Sequence, residues 1–173
     1  MEIQTYRTLI ARIANERQGE IVFNGSADHA AVIVENLFAI AQSDVRILTG
    51  DLAAKVYGEP RVVDRARQFL GHTGHKLCIL VEDLTATPNH PLIDGLSGEA
   101  GFELRHLKSG WSEKIPFHFS TADADCYRFE KEKNSHSAIA AFGDKDTAAH
   151  LNSIFDSLIL ESQKVDMAEL PAS

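Results

Sequence analysis

The sequence predicts an α/β protein built on a mixed, mainly parallel central sheet with helices on both faces. Three observations carry this prediction. Along the first eighty residues, segments with apolar residues at helical spacing alternate with short Val-, Ile- and Leu-rich runs. One of those runs, "HKLCILVED", is apolar almost throughout, as in a strand buried on both faces. Later, two strand-like runs flank "TADAD", a hairpin that adds antiparallel strands. The early β-α-β-α-β order argues for parallel pairing.

The elements follow in order. Residues 2–17 place Ile3, Tyr6, Leu9, Ile10 and Ile13 at helical spacing, an amphipathic helix ended by Gly19. Its apolar stripe must be buried, either on its own domain or against a second copy or partner. "EIVFN" is a short strand. Ser26 or Asp28 caps a helix over residues 30–41, apolar on most faces. "VRILTG" is the next strand and "DLAAKVYG" a short helical turn. Pro60 starts a helix over residues 60–71, with Val62, Val63, Ala66, Phe69 and Leu70 on one side. "HKLCILVED" is the buried strand, "TPNHPLIDGLSGEA" a loop with one helical turn, and "GFELRHLK" an alternating strand. After the hairpin, Ala148, Leu151, Ile154, Phe155, Leu158 and Ile159 form the apolar face of a last helix. The expected organisation is an N-terminal helix (1–18), an α/β domain (19–163) and a flexible tail (164–173).

A chain of 173 residues has the size of one domain, and its 44% hydrophobic and 24% charged residues are ordinary for a soluble protein. A net charge of −8 repels polyanions at long range, so a broad nucleic-acid-binding surface is not expected. Cys78 and Cys126 lie in apolar runs and read as buried free thiols, with no disulfide framework and no zinc cluster. The N-terminal segment has no signal-peptide pattern and no apolar run reaches bilayer length, so the reading is cytoplasmic with no membrane partner. No cofactor and no metal site are expected. His72 and His75 sit near a helix end, which favours cations. The "DADAD" run lacks the glycine and terminal glutamate of a calcium loop. Arg61, Arg65 and Arg67 read as a solvated helix face.

The chemistry-bearing stretch is "IPFHFSTADADCYRFEKEK", residues 115–133. Alternation turns Phe117 and Phe119 to one face of a strand and His118 with Ser120 to the other. A histidine so placed can hydrogen-bond to Asp123 or Asp125 across the turn and hold the hairpin. His118, Ser120 and Asp125 also stand at the spacing of a family motif: histidine, one residue, lysine, four residues, aspartate, on a strand–turn–strand. With the order of elements around it, residues 20–162 resemble one half of a phospholipase D superfamily protein.

That resemblance implies a phosphodiester-cleaving site built from two paired motifs, in which one imidazole attacks phosphorus and the other protonates the leaving group. One motif per chain implies a homodimer for any active form. This sequence departs from the pattern at Ser120, where a lysine is expected. Losing a charge-assisted donor at a transition state costs about 3–4 kcal/mol. The Gly-Ser and asparagine expected further on are also missing, and Asp123, Asp125, Glu130 and Glu132 make the hairpin acidic. The expected function is therefore a non-catalytic binding or assembly module, homodimeric or a subunit of a larger bacterial complex. His118, Ser120, Asp123 and Asp125 are its candidate ligand-binding residues, and no catalytic residue is expected. The alternatives are a homodimeric phosphodiesterase or nuclease using His118, Ser120 and Asp125, and a small-molecule-sensing domain.

Overall fold

A computed structural model describes residues 1–133 and 135–170. Eight strands form one sheet: β1 (Ile21–Asn24), β2 (Asp44–Thr49), β3 (Lys76–Val81), β4 (Phe102–Leu107), β5 (His118–Ala122), β6 (Cys126–Glu130), β7 (Ala138–Phe142) and β8 (Ser162–Lys164). The helices are α1 (Ile3–Glu16), α2 (Ala27–Ile40), α3 (Ala54–Tyr57), α4 (Pro60–Leu70), α5 (Pro91–Leu96) and α6 (Lys145–Ile159). The spatial order is β1-β7-β6-β5-β2-β3-β4-β8.

The mixed α/β class holds, but the pairing is not mainly parallel. Only β2–β3 and β3–β4 pair in parallel, and the other five ladders are antiparallel. The reason lies in the later strands. β5, β6 and β7 insert as a meander between β1 and β2, so strands that follow each other in sequence through α2 end four places apart in the sheet. The strand β7, "AIAAF", is too alanine-rich to stand out by β-propensity. Its alanines are small because β7 lies close beneath packed neighbours: Ala140, Ala141 and Phe142 are fully buried.

Helices cover both faces, unequally. Side chains of α1 to α5 build one core with Ile47, Leu77, Ile79 and Val81 of the sheet. On the other face α6 sets Leu151, Phe155 and Leu158 against Leu48, Leu80 and Phe119, joined by Ile115 and Trp111 of the segment between β4 and β5. Ser26 caps α2 by accepting from the His29 amide. Asp144 caps α6 through the Thr147 amide.

The stripe of α1 is spent within the chain: Tyr6, Ile10, Ile13 and Ala14 are buried in the main core and Ile3 and Leu9 pack at its margin. Gly143 ties the end of this helix to the sheet. Its φ is +99°, and a Cβ there would lie 2.1 Å from the Arg17 carbonyl oxygen, so only glycine lets the two segments meet. Cys126 is buried, but Cys78, within β3, is only half-buried. Burial still pushes the Cys78 thiol up to about 12 and the Cys126 thiol up to about 11. The expected tail is partly built into the fold. β8 pairs with β4, the Val165 amide donates to the Leu104 carbonyl, and Val165, Met167 and Leu170 pack on the core. The last part of that expected tail, residues 171–173, lies outside the described residues.

Candidate functional site

The carboxyl ends of parallel strands are where open α/β sheets place their sites, because the loops that follow diverge there. Here Gly50 follows β2 and Glu82 follows β3. β5 runs the opposite way and begins at that edge with His118, and β6 ends there with Glu130. His118 is 7% exposed. Its ring lies against Gly50, where a Cβ would come within 3.2 Å of Cε1. Nε2 of His118 stands 3.4 Å from Oε1 of Glu82. That is an ion-pair distance, and the nitrogen has no aligned hydrogen-bond partner among the described residues.

Glu82 is the hub of this corner. Lys133 Nζ donates to its Oε1 at 2.6 Å and Ser112 Oγ to its Oε2 at 2.7 Å. Lys133 also donates to the Ser112 carbonyl at 2.7 Å. Burial opposes ionisation of Glu82, but His118, Lys133 and Ser112 together outweigh it and hold the carboxyl below its usual range.

A second polar cluster lies beside the first. Ser120, one alternation along from His118, is buried and shares a 3.2 Å hydrogen bond with the Tyr57 hydroxyl of α3. Arg128 on β6 stands directly across from Ser120. Arg128 is 2% exposed, and each of its three guanidinium nitrogens donates a hydrogen bond. Nη1 donates to Glu130 at 3.1 Å, Nε to Asn24 Oδ1 at 3.2 Å, and Nη2 to the His136 carbonyl at 3.1 Å. Asn24 Nδ2 donates to that same carbonyl. Between the clusters is a cavity of about 30 Å³ lined by Thr49, Gly50, Tyr57, His118, Arg128 and Glu130. It has room for about one or two waters.

The other expected ligand residues are not here. Asp123 and Asp125 sit at the far end of β5, and five residues of strand span roughly 16 Å. Asp123 accepts from the backbone amides of Gln42, Ser43 and Asp44 and from the Ser43 hydroxyl. Burial raises its pKa, but these donors outweigh burial and hold the carboxyl low. Asp125 accepts from Arg17 Nη2 at 2.7 Å. Both carboxylates fasten the hairpin to its surroundings, and the partner facing His118 is Glu82, not either of them. Spacing along the chain could not distinguish the two ends of a five-residue strand.

Glu82, Ser112, Tyr57, Lys133 and Arg128 were not legible as site residues, although two carried a signal. Glu82 is a carboxylate at the very end of a doubly buried strand, and Arg128 alternates onto the same face as Ser120. His72 and His75 stack at 5.0 Å, each with Nδ1 on a carbonyl at the end of α4, as the helix-end reading expects.

A family model described as a domain of unknown function, DUF7931, matches residues 26–166. The chain belongs to the DUF7931 family. No curated protein matches it. Among solved structures, the DUF7931 chain is similar to Nuc of Salmonella typhimurium, a phospholipase D family member. The TM-score is 0.59 at 14% identity, over 84% of this chain and 96% of that one. NucT from Helicobacter pylori gives a TM-score of 0.60 at 12% identity, over 84% and 100% of the two chains. TrmBL2, an archaeal chromatin protein whose structure shows a mode of DNA binding, gives 0.64 at 15% identity. That match covers 94% of the DUF7931 chain, which spans 61% of TrmBL2. Identities this low establish the fold alone, and the fold is the mixed α/β sheet of the phospholipase D family. Among the described residues no helix is long and apolar enough to cross a membrane.

Proposed function

We propose that this DUF7931 protein is a non-catalytic phospholipase D-like module that binds or assembles, self-associating or serving as a subunit of a larger bacterial complex in the cytoplasm. One observation carries the reading: the motif's lysine position is Ser120, and its side chain is sealed under Tyr57. A phosphoryl group approaching His118 from this side would meet a phenol instead of an ammonium. The neighbouring cations are also committed, Arg128 to Glu130 and Lys133 to Glu82. A cavity of about 30 Å³ at this corner holds neither a phosphodiester nor a metabolite beside His118.

A second reading has an observation of its own. Lys133 and His118 share one carboxylate, so a cation stands near the imidazole although the motif lacks it. A phosphodiesterase that opens over His118 could use that lysine on a phosphoryl oxygen. Hydrolysis of a chromogenic phosphodiester separates the two. The proposal expects no turnover above that of His118→Asn; turnover that disappears in both His118→Asn and Lys133→Ala would establish the second reading. A net charge of −8 argues against a nucleic-acid partner, whereas the likeness to TrmBL2, whose structure shows a mode of DNA binding, bears the other way.

A further inference from the structure

β1 is the outer strand on its side of the sheet. It pairs with β7, and among the described residues no strand pairs with its other edge. Its burial alternates, Val22 and Asn24 inward, Ile21 and Phe23 outward at 52% and 72% exposure. Among the described residues these two are half of the exposed large hydrophobic residues. They continue an apolar row on the α6 side: Phe23 lies beside Ile139, Ile139 beside Phe129, and Phe129 beside Phe119. The row runs from buried Phe119 to open Phe23.

Edge strands are usually guarded by charge, proline, a bulge or a covering element, because their free amides and carbonyls recruit other strands. Residues 21–24 contain no charge and no proline. The Tyr6 hydroxyl donates to the Phe23 carbonyl at 3.1 Å, which leaves that oxygen a second lone pair.

We infer that β1 is a self-association edge, along which a second copy of this chain pairs antiparallel about a twofold axis at Val22. The occupant follows from the strand's own symmetry. In an antiparallel ladder, opposed residues share a face, so a twofold pairing must be centred on a residue. Residues 20–24, Glu-Ile-Val-Phe-Asn, read polar, three apolar, polar about Val22. Centring there sets Ile21 against Phe23 of the second copy and gathers all four side chains on the α6 side. Glu20 meets Asn24 of the second copy instead of another glutamate. Centring on Ile21 would oppose Phe23 to Gly19, whose φ of +78° breaks the strand. Centring on Phe23 would oppose Ile21 to Gly25 and Val22 to Asn24. Only one register is self-complementary.

This inference rests on the assembly half of the proposed function and names its surface; it is independent of what His118 does. Sedimentation velocity of the full chain over a concentration series tests it. The expected result is a monomer–dimer equilibrium that Phe23→Lys weakens at least tenfold while His118→Asn leaves it unchanged. Disulfide trapping in a Cys78→Ser background reads the register without needing Phe23→Lys to fold. An oxidised mixture of Ile21→Cys and Phe23→Cys chains should give the mixed disulfide, and neither variant should trap itself to comparable yield. A monomer at every concentration, a dimer indifferent to Phe23→Lys, or self-trapping that equals mixed trapping would overturn it. A monomer would leave the diester assay, and so the non-catalytic reading, untouched.

Discussion

Arg128→Ala is expected to be among the most destabilising single substitutions in this chain. Arg128 is 2% exposed, and its guanidinium holds Glu130, Asn24 and the His136 carbonyl at once. Removing it leaves Glu130, 6% exposed, as a buried carboxylate without its counter-ion. Breaking a buried pair from one side costs about 3–5 kcal/mol, because the stranded charge keeps its desolvation penalty and loses its partner. With a urea m-value of about 2 kcal/mol/M, the unfolding midpoint should fall by about 2 M. The transition can be followed by far-UV circular dichroism or by Trp111, the only tryptophan. Arg128→Met with Glu130→Leu should recover most of the loss, since replacing a buried pair by apolar groups of similar volume is often neutral. A midpoint shift below about 0.5 M for Arg128→Ala would refute the reasoning. Arg128 would then be available as a free cation beside His118 instead of a structural counter-ion.

Other outcomes follow from the same contacts. Asp123 and Glu82 are held below their ordinary pKa values, so the stability they contribute is fully present above their unfolded values of about 3.9 and 4.3. It is lost as pH falls through their folded values, and Asp123→Asn should flatten a plot of midpoint against pH below about 4. Ser120→Lys alone should not create phosphate affinity, because its ammonium would be trapped between Tyr57 and Arg128. Ser120→Lys with Tyr57→Ala should gain sulfate or phosphate binding by calorimetry, and equal binding by the single variant would contradict the sealing role of Tyr57. Gly50→Ala should displace the His118 ring, read as a shift of its imidazole resonances, with a stability loss of about 1 kcal/mol.

Most elements were legible because their periodicity is strong. The stretch before α2 offered Ser26 or Asp28 as its cap, of which Ser26 is the one that caps it, and the residues of α4 gave both its proline start and its buried side. What escaped was pairing. The directions of β1, β2, β3 and β4 agree, as the β-α-β order implies, yet β1 and β2 never touch because three later strands come between them. Local pattern cannot report an insertion that is decided by long-range packing. β7 escaped because alanine carries little strand preference, and β8 because three residues, Ser162–Lys164, are too few for a period. At the site, alternation correctly separated His118 and Ser120 from Phe117 and Phe119. It could not say which carboxylate would face His118, since Glu82 arrives from a strand 36 positions earlier in the chain.

The two polar clusters at this sheet edge share one electrostatic design. Lys133 and Glu82 form one opposed pair, Arg128 and Glu130 another, and His118 lies between them. Each cation sits within 3.1 Å of a carboxylate oxygen, so the field that reaches His118 is that of paired dipoles and not of a net positive site. A phosphate dianion gains most where donors are unpaired before it arrives, because it then displaces water instead of a carboxylate. Here it would have to compete with Glu82 for Lys133 and with Glu130 for Arg128, each held in a largely buried setting that strengthens the existing pair. The seal of Tyr57 over Ser120 and the pairing of both cations thus act in the same direction, one by shape and one by charge. Changing either alone leaves the other in place. On the non-catalytic reading, opening this corner to an anion is therefore expected to need both the removal of the phenol and a new cation.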